Sequence, residues 1–409
     1  LRKEDIPFLE TKVREIFLDI KTKYPDSPIT LLSPLAEGAD RLVARVSLDF
    51  GASLIVPLPM PIEEYKKDFQ TESSCAEFQS LLARADHQFE LPLVDGNTIS
   101  SIAQDGDSRN HQYAQIGNFI AQHSQILIAL WDGVETNLEG GTFYIRKNKL
   151  EGNFTPSVPS SKLYQAEIGP VVHIVTPRQK NPHPIGESFS IKKEYPGYWK
   201  DKIHAEDIYN RTLKNVNRFN QDLKRYTELI QTESAKNRDL VMPANVIKGI
   251  NGKEQEIFNR FVLTDALASM FKGYRVKSIL GLLTLIVVAF LFFHLYLGLV
   301  QKPIMLMMYP LLLTGGLLWY FFAKRQGYEY KHEDYRALAE ATRIQFFWRL
   351  VGICDNVADH YLRIHKGELE WIRYALRVWN LPTEPCEFLK HKDFEKAKIL
   401  EAMYKEIKP

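Results

Sequence analysis

Only three cysteines, Cys75, Cys354 and Cys386, are spread over 409 residues. They are too few and too scattered for a disulfide framework or a thiolate metal site, so reduced structural thiols are expected. An excess of one charge is also missing, because 52 Lys and Arg stand against 50 Asp and Glu, a formal net charge of +2. Without a global positive field, a protein that coats nucleic acid is ruled out as the leading reading. No short-period repeat or low-complexity tract stands out, and 25% charged with 45% hydrophobic residues argues against overall disorder. At roughly 150 residues per domain, the length excludes one small core and predicts two or three domains.

What is present is sharper than these averages. Ser278 to Val300 (SILGLLTLIVVAFLFFHLYLGLV) and Pro303 to Ala323 (PIMLMMYPLLLTGGLLWYFFA) contain no Lys, Arg, Asp or Glu. About 20 helical residues cross the ~30 Å hydrocarbon layer of a bilayer, so each run is long enough to span one. Only Gln301 and Lys302 separate them, which predicts a tight helical hairpin with both outer ends on one side. Lys272, Arg275 and Lys277 precede it and Lys324 and Arg325 follow it. Those five cations predict that both termini lie in the cytosol, in a two-span membrane protein. The position far along the chain excludes a secretory signal.

The amino-terminal part alternates. A helical spacing of Phe8, Val13, Phe17 and Ile20 covers Asp5 to Tyr24, followed by the strand Ile29 to Ser33, a helix over Gly38 to Phe50 and the strand Ser53 to Leu58. Further on come a helix around Tyr113 to Gln122, the strand Ile126 to Trp131, a helix from about Gly141 to Leu150 and the strand Val171 to Thr176. This order predicts an α/β fold with a parallel sheet, whose ligand crevice lies beyond the carboxyl ends of the strands. After the first strand, the turn Ser33 to Arg41 passes through Gly38 into a helix; after ILIALW come Asp132-Gly133 and then Gly140-Gly141-Thr142, opening the next. Strand-to-helix turns offer free N–H groups and a positive helix end to phosphate. The candidate ligand-binding residues are therefore Ser33, Glu37, Gly38, Ala39, Asp40, Arg41, Asp132, Gly133, Gly140, Gly141 and Thr142. For either turn alone, a simple chain reversal is the bland alternative.

The stretches SPLAEGADRLVA (Ser33 to Ala44), LIVPLPMPIEEYKKDF (Leu54 to Phe69), HSQILIALWDG (His123 to Gly133), Gly140 to Thr142 and HIVTPR (His173 to Arg178) resemble the SLOG superfamily. That is the Rossmann-like nucleotide-binding fold of DNA-processing protein A, the lonely-guy phosphoribohydrolases and the amino-terminal regions of melastatin-type channels. The resemblance covers about residues 1–178 and implies a further strand and part of the phosphate loop ahead of Leu1. The rest of the chain, with DYRALAEATRIQFFWRL (Asp334 to Leu350) and VADHYLRIHKGELEWIRYALR (Val357 to Arg377), resembles the two-transmembrane SLATT effectors of bacterial antiviral systems. Together these imply that the first part senses a nucleotide-derived signal, ADP-ribose-like or a cyclic nucleotide, and that the membrane part, as a homo-oligomer, then permeabilises the bacterial inner membrane. The hydrolytic lonely-guy members carry Glu three residues after their Thr; here that position is Ile145, so binding without turnover is expected, with no catalytic residue, cofactor or metal assigned. An anchored hydrolase using Glu37, Asp40 or Asp132 is the enzymatic alternative, and a membrane-anchored scaffold is another.

The expected divisions are residues 1–190 for nucleotide sensing, 191–277 as a helical linker, 278–323 for the hairpin and 324–409 as a cytosolic helical tail. Within the linker, helical patterning covers about Ala205 to Ser234, Met242 to Glu254 is expected to act as a hinge, and a helix from Glu254 to Lys277 runs into the first span. In the tail, Tyr335, Leu338, Ala339, Thr342, Phe346, Leu350, Ile353, Val357, Tyr361 and Ile364 predict one continuous apolar stripe. Its partner is either Glu254 to Lys277 of the same chain or the same helix of a neighbour. His332, His360 and His365 have no metal-ligand company. His294 lies inside a span and is a pore-lining candidate, or else bonds Thr284 or a backbone carbonyl.

Overall fold

The computed structural model describes residues 1–136, 138–152, 168–197, 202–241, 252–299, 301–353, 355–360 and 369–381. The described residues divide into two units, those of Leu1–Gln221 with those of Asp359–Pro385, and those of Asp222–Ala358.

In the first unit, α1 (Ile6–Lys23) starts with Pro7 in its first turn, where the ring's missing N–H costs nothing. Its buried face is Leu9, Val13, Ile16 and Phe17. The expected face was partly misplaced, because Phe8 is exposed and stacks on Phe189 at 5.5 Å, while Leu9 takes the core position. Then follow β1 (Thr30–Leu32), α2 (Ala39–Asp49), β2 (Ser53–Leu58), α3 (Glu72–Leu82), β3 (His87–Glu90), α4 (Asp107–His123), β4 (Leu127–Trp131), α5 (Thr142–Glu151), β5 (Val171–Val175) and β6 (Ile191–Glu194). β1, β2 and β3 form one parallel sheet; β4 and β5 pair parallel and β6 joins β5 antiparallel.

The α/β order is therefore as expected, but a single parallel sheet is not what forms. Among the described residues no ladder joins β1 to β4, so there are two three-stranded sheets. β6 returns from β5 without a crossover helix, and such a direct return gives an antiparallel neighbour. Residues of α1 (Leu9, Val13), of α2 (Leu42, Val46), of β4 (Leu130) and of β5 (Ile174) share one core, with Leu31 of β1 packed against it. The second core, around Leu54, Val56, Phe69 and Phe78, lies between β2, α2 and α3. Helix α6 (Lys202–Arg225), within which the division of the chain falls, adds Tyr209 and Phe219 to the first unit. There Phe219 meets Trp371, and Tyr209 meets Tyr374, both from the later helix Glu370–Trp379.

The second unit is helical: α7 (Thr227–Val241), α8 (Gly252–Gly298), α9 (Pro303–Gln326) and α10 (Tyr328–Leu350). Most of the expected hinge, residues 242–251, lies outside the described residues. With 47 residues, α8 is roughly 70 Å long. Its amino-terminal half pairs antiparallel with α10, as the ion pairs show: Glu254 with Arg349 at 2.9 Å, Asp265 with Arg336 at 2.7 Å and Arg275 with Glu329 at 2.9 Å. Between them Ile257, Phe258, Phe261 and Val262 bury against Ala339, Phe346 and Leu350. The same chain thus supplies the partner of the tail stripe. That stripe is not one helix, however: α10 stops at Leu350, where the N–H groups of Val351, Gly352 and Ile353 turn back onto carbonyls of residues 347–349, and Val357 is buried from a separate turn. Tyr361 and Ile364 lie outside the described residues.

The other half of α8 packs against α9. Trp319 Nε1 donates to the Ser278 carbonyl at 3.0 Å, a Cβ on Gly316 would sit 3.5 Å from Leu282, and Phe293 meets Tyr309 at 5.1 Å. Both helices are long and apolar enough to cross a membrane, and only 11% and 6% of their most apolar windows is buried within the chain.

Candidate functional site

The candidate residues fall into two groups at the carboxyl ends of strands. After β1, Ser33 Oγ accepts the Leu35 N–H at 3.3 Å. Leu35 itself is fully buried at a φ of 59°, a left-handed conformation that a leucine adopts only under restraint. The restraint comes from Arg41, whose Nε donates to the Leu35 carbonyl at 3.0 Å. Arg41 is 1% exposed; its Nη1 donates to the Ser74 carbonyl at 2.9 Å and pairs with Glu77, and the guanidinium lies 4.4 Å from the Phe69 ring centre. This arginine braces the turn from beneath. Glu37 is exposed and accepts from Ser74 Oγ. Gly38 caps α2 without a side-chain bond, Ala39 begins the helix, and Leu1 lies 3.5 Å from where a Gly38 Cβ would be.

Asp40, in the first turn of α2, accepts the Ala36 N–H at 3.3 Å. Burial pushes its carboxyl up to about 6, against the backbone bond and the nearby Arg41, which pull down. Because the folded pKa lies above the unfolded one, stability is complete below about pH 4 and is lost as pH rises to about 6. The loss is about 1–3 kcal/mol after allowing for partial exposure. Asp40→Asn should remove this slope and raise the melting temperature at pH 7; melts between pH 4 and 8 that stay parallel in both proteins would refute it.

The second group surrounds the ends of β4 and β5. Asp132, 7% exposed, accepts the Val134 N–H at 3.3 Å and Asn181 Nδ2 at 3.2 Å. Gly133 and Gly140 are fixed by close approach as well as by φ values of 84° and 77°: a Cβ would sit 2.9 Å from Ile185 Cβ in the first case and 2.8 Å from the Ala114 nitrogen in the second. Gly141 stands at the cap of α5 and makes no side-chain bond to it, so no cap side chain covers the helix's positive end. At that same end Arg178 Nη2 donates to Thr142 Oγ1 at 3.1 Å and lies 3.4 Å from the Leu130 carbonyl. A cation, a hydroxyl and an uncapped helix end converge here. That combination suits a phosphate or carboxylate.

Arg178 and Asn181, which bond Thr142 and Asp132, are not among the candidate residues named from the sequence. The signal is in the sequence, since Arg178 follows β5 within three residues and strand-end logic applies to β5 as to β1 and β4. Behind this group, Arg146 and His173 flank Glu194, with His173 Nδ1 3.4 Å from it and Nε2 2.9 Å from the Trp131 carbonyl. Burial would raise the Glu194 carboxyl, but the bonds from His173 and Arg146 outweigh it and hold it below its usual range. Ile145 packs onto Gly117 of α4. Among the described residues no hydrogen bond or ion pair joins the two groups, and no cluster of His, Cys, Asp and Glu has metal-holding geometry. His294 is exposed on α8; Thr284 does not reach it, because its hydroxyl donates to the Leu280 carbonyl at 2.8 Å. The chain matches no family model, no curated protein and no solved structure.

Proposed function

We propose that this protein is a membrane effector gated by a nucleotide-derived ligand, a SLOG-like sensor fused to a SLATT-like two-span region that permeabilises a bacterial inner membrane in antiviral defence. The carrying observation is the contrast along α8. Up to Phe271 the helix buries aromatic and aliphatic side chains against α10, whereas Ile279, Leu283, Val287 and Leu291 beyond it are exposed in a stretch without charge. A soluble core helix buries such residues; lipid is the solvent that suits their exposure. Basic residues at both outer ends of the hairpin support a cytosolic location for both termini. The sensing half is supported by the uncapped α5 amino terminus with Thr142 and Arg178 beside it, which fits the phosphate of ADP-ribose or of a cyclic nucleotide. Two spans cannot enclose an aqueous path alone, so several copies act together.

An anchored nucleotide hydrolase is the second reading, favoured by Asp40, whose pKa of about 6 suits a general acid. Vesicles loaded with a self-quenching dye separate the two. Addition of protein and the matching nucleotide should release dye while the nucleotide stays intact by phosphorus NMR. Cleavage of the nucleotide without leakage would overturn the effector reading in favour of the hydrolase.

A further inference from the structure

The face of α8 opposite α9 carries a second pattern. Leu280, Thr284, Val287, Leu291, His294 and Gly298 follow one another at steps of four, three, four, three and four, and all six are exposed. At 100° per residue they fall within about 40° of one line along the helix. Ser278 and Ala289, the buried positions of this segment, lie on the opposite side, toward α9. Among the described residues of the hairpin, none therefore covers the stripe.

Five of these residues tolerate lipid, since Thr284 returns its hydroxyl to its own helix. His294 does not. Its ring is exposed, no group of the described residues bonds it, and it lies six residues short of Val300, about 9 Å from the far end of the span. An imidazole held there against hydrocarbon is costly and is normally turned toward protein or water.

We infer that the Leu280–Gly298 stripe of α8 is the contact face for a second copy of this chain, with His294 meeting His294. This rests on the membrane reading above. Copies inserted with the same orientation pair in parallel, so each position meets its own counterpart. Two imidazoles are hydrogen-bond complementary, one ring nitrogen donating and the other accepting. The alternation of three and four is the spacing of a left-handed helix pair, and Gly298, with nothing within 4 Å of where its Cβ would be, leaves room for close approach.

The test uses the full chain with Cys75, Cys354 and Cys386 replaced by Ser, carrying single cysteines, in vesicles of phosphatidylcholine and phosphatidylglycerol. Oxidative cross-linking should give covalent dimers from Leu280→Cys, Val287→Cys and Leu291→Cys, at least about fivefold above Leu311→Cys and Leu318→Cys on α9. In the Val287→Cys background, adding His294→Leu should lower the dimer yield about fivefold, and His294→Asn should not. Equal cross-linking from both helices, or none from α8, overturns the contact face; a yield unmoved by His294→Leu overturns the role of the imidazole. Alkaline carbonate extraction of each variant keeps the two readings apart, because protein released from the vesicles would overturn the membrane reading instead.

Discussion

Replacing Gly141 by Asp is expected to lower the affinity proposed for ADP-ribose or a cyclic nucleotide about 100-fold while leaving the fold as stable as before. Gly141 has a φ of −71° and a ψ of 160°, extended backbone that any residue adopts, and it occupies the cap of α5. Asp is among the preferred residues at such a position, where its carboxylate accepts the open N–H groups of the first turn. A Cβ there would lie 3.1 Å from the Leu138 carbonyl, a shortfall that a shift of a few tenths of an ångström relieves. The same carboxylate would occupy the place proposed for the ligand's phosphate. One like charge at ~4 Å costs about 4 kcal/mol at an effective dielectric of ~20, and screening at this open site reduces that to the 100-fold range. Calorimetric titration alongside a thermal melt separates binding from folding. Unchanged affinity would remove the α5 terminus from the site.

Glu254→Ala should destabilise the α8–α10 pair by about 3–5 kcal/mol. Arg349 is 4% exposed, and the Glu254 carboxylate at 2.9 Å is the acid placed against it. Removing that partner strands a buried charge, whereas replacing both by apolar residues leaves none. The pair Glu254→Leu with Arg349→Met should therefore recover most of the loss, since Arg349 is flanked in α10 by Phe346 and Leu350 of the core. Chemical denaturation of the detergent-solubilised protein, followed by far-ultraviolet circular dichroism, measures both. A loss under about 1 kcal/mol for the single change would mean that the pair is solvated.

These two expectations differ in how far the sequence foreshadowed them. Gly141 stands out in the chain as written, because a strand, two glycines and a hydroxyl residue before a helix mark a strand-end turn. Arg349 does not. It sits amid FFWRL in a helix whose apolar stripe was visible, but a stripe only says that a face is covered. Whether α8 of the same chain or a neighbouring copy covers it depends on the antiparallel register of residues some 95 positions apart, as for Glu254 and Arg349. The short strands show a similar limit. VVHIV of β5 is buried throughout and was legible as a strand, whereas HQFE of β3 and IKKE of β6 have no apolar run and form strands only because a neighbouring edge supplies their hydrogen bonds.

What the amino-acid sequence determined by itself is everything set by local chemistry: two charge-free runs long enough to span a bilayer, the alternation of strands and helices, and glycine-marked turns where strands end. What only the tertiary structure decided is direction. Arg41 was as eligible for a phosphate as Arg178, yet a carbonyl at Leu35, the Ser74 carbonyl and two phenylalanine rings draw Arg41 inward, while Arg178 reaches Thr142 at the open end of α5. Long side chains take their direction from partners distant in the chain, and periodicity carries no record of those partners. The same holds for the exposed stripe of α8, which lies in a charge-free segment with apolar residues on all its faces, so that only the packing of α9 separates the covered face from the one left open.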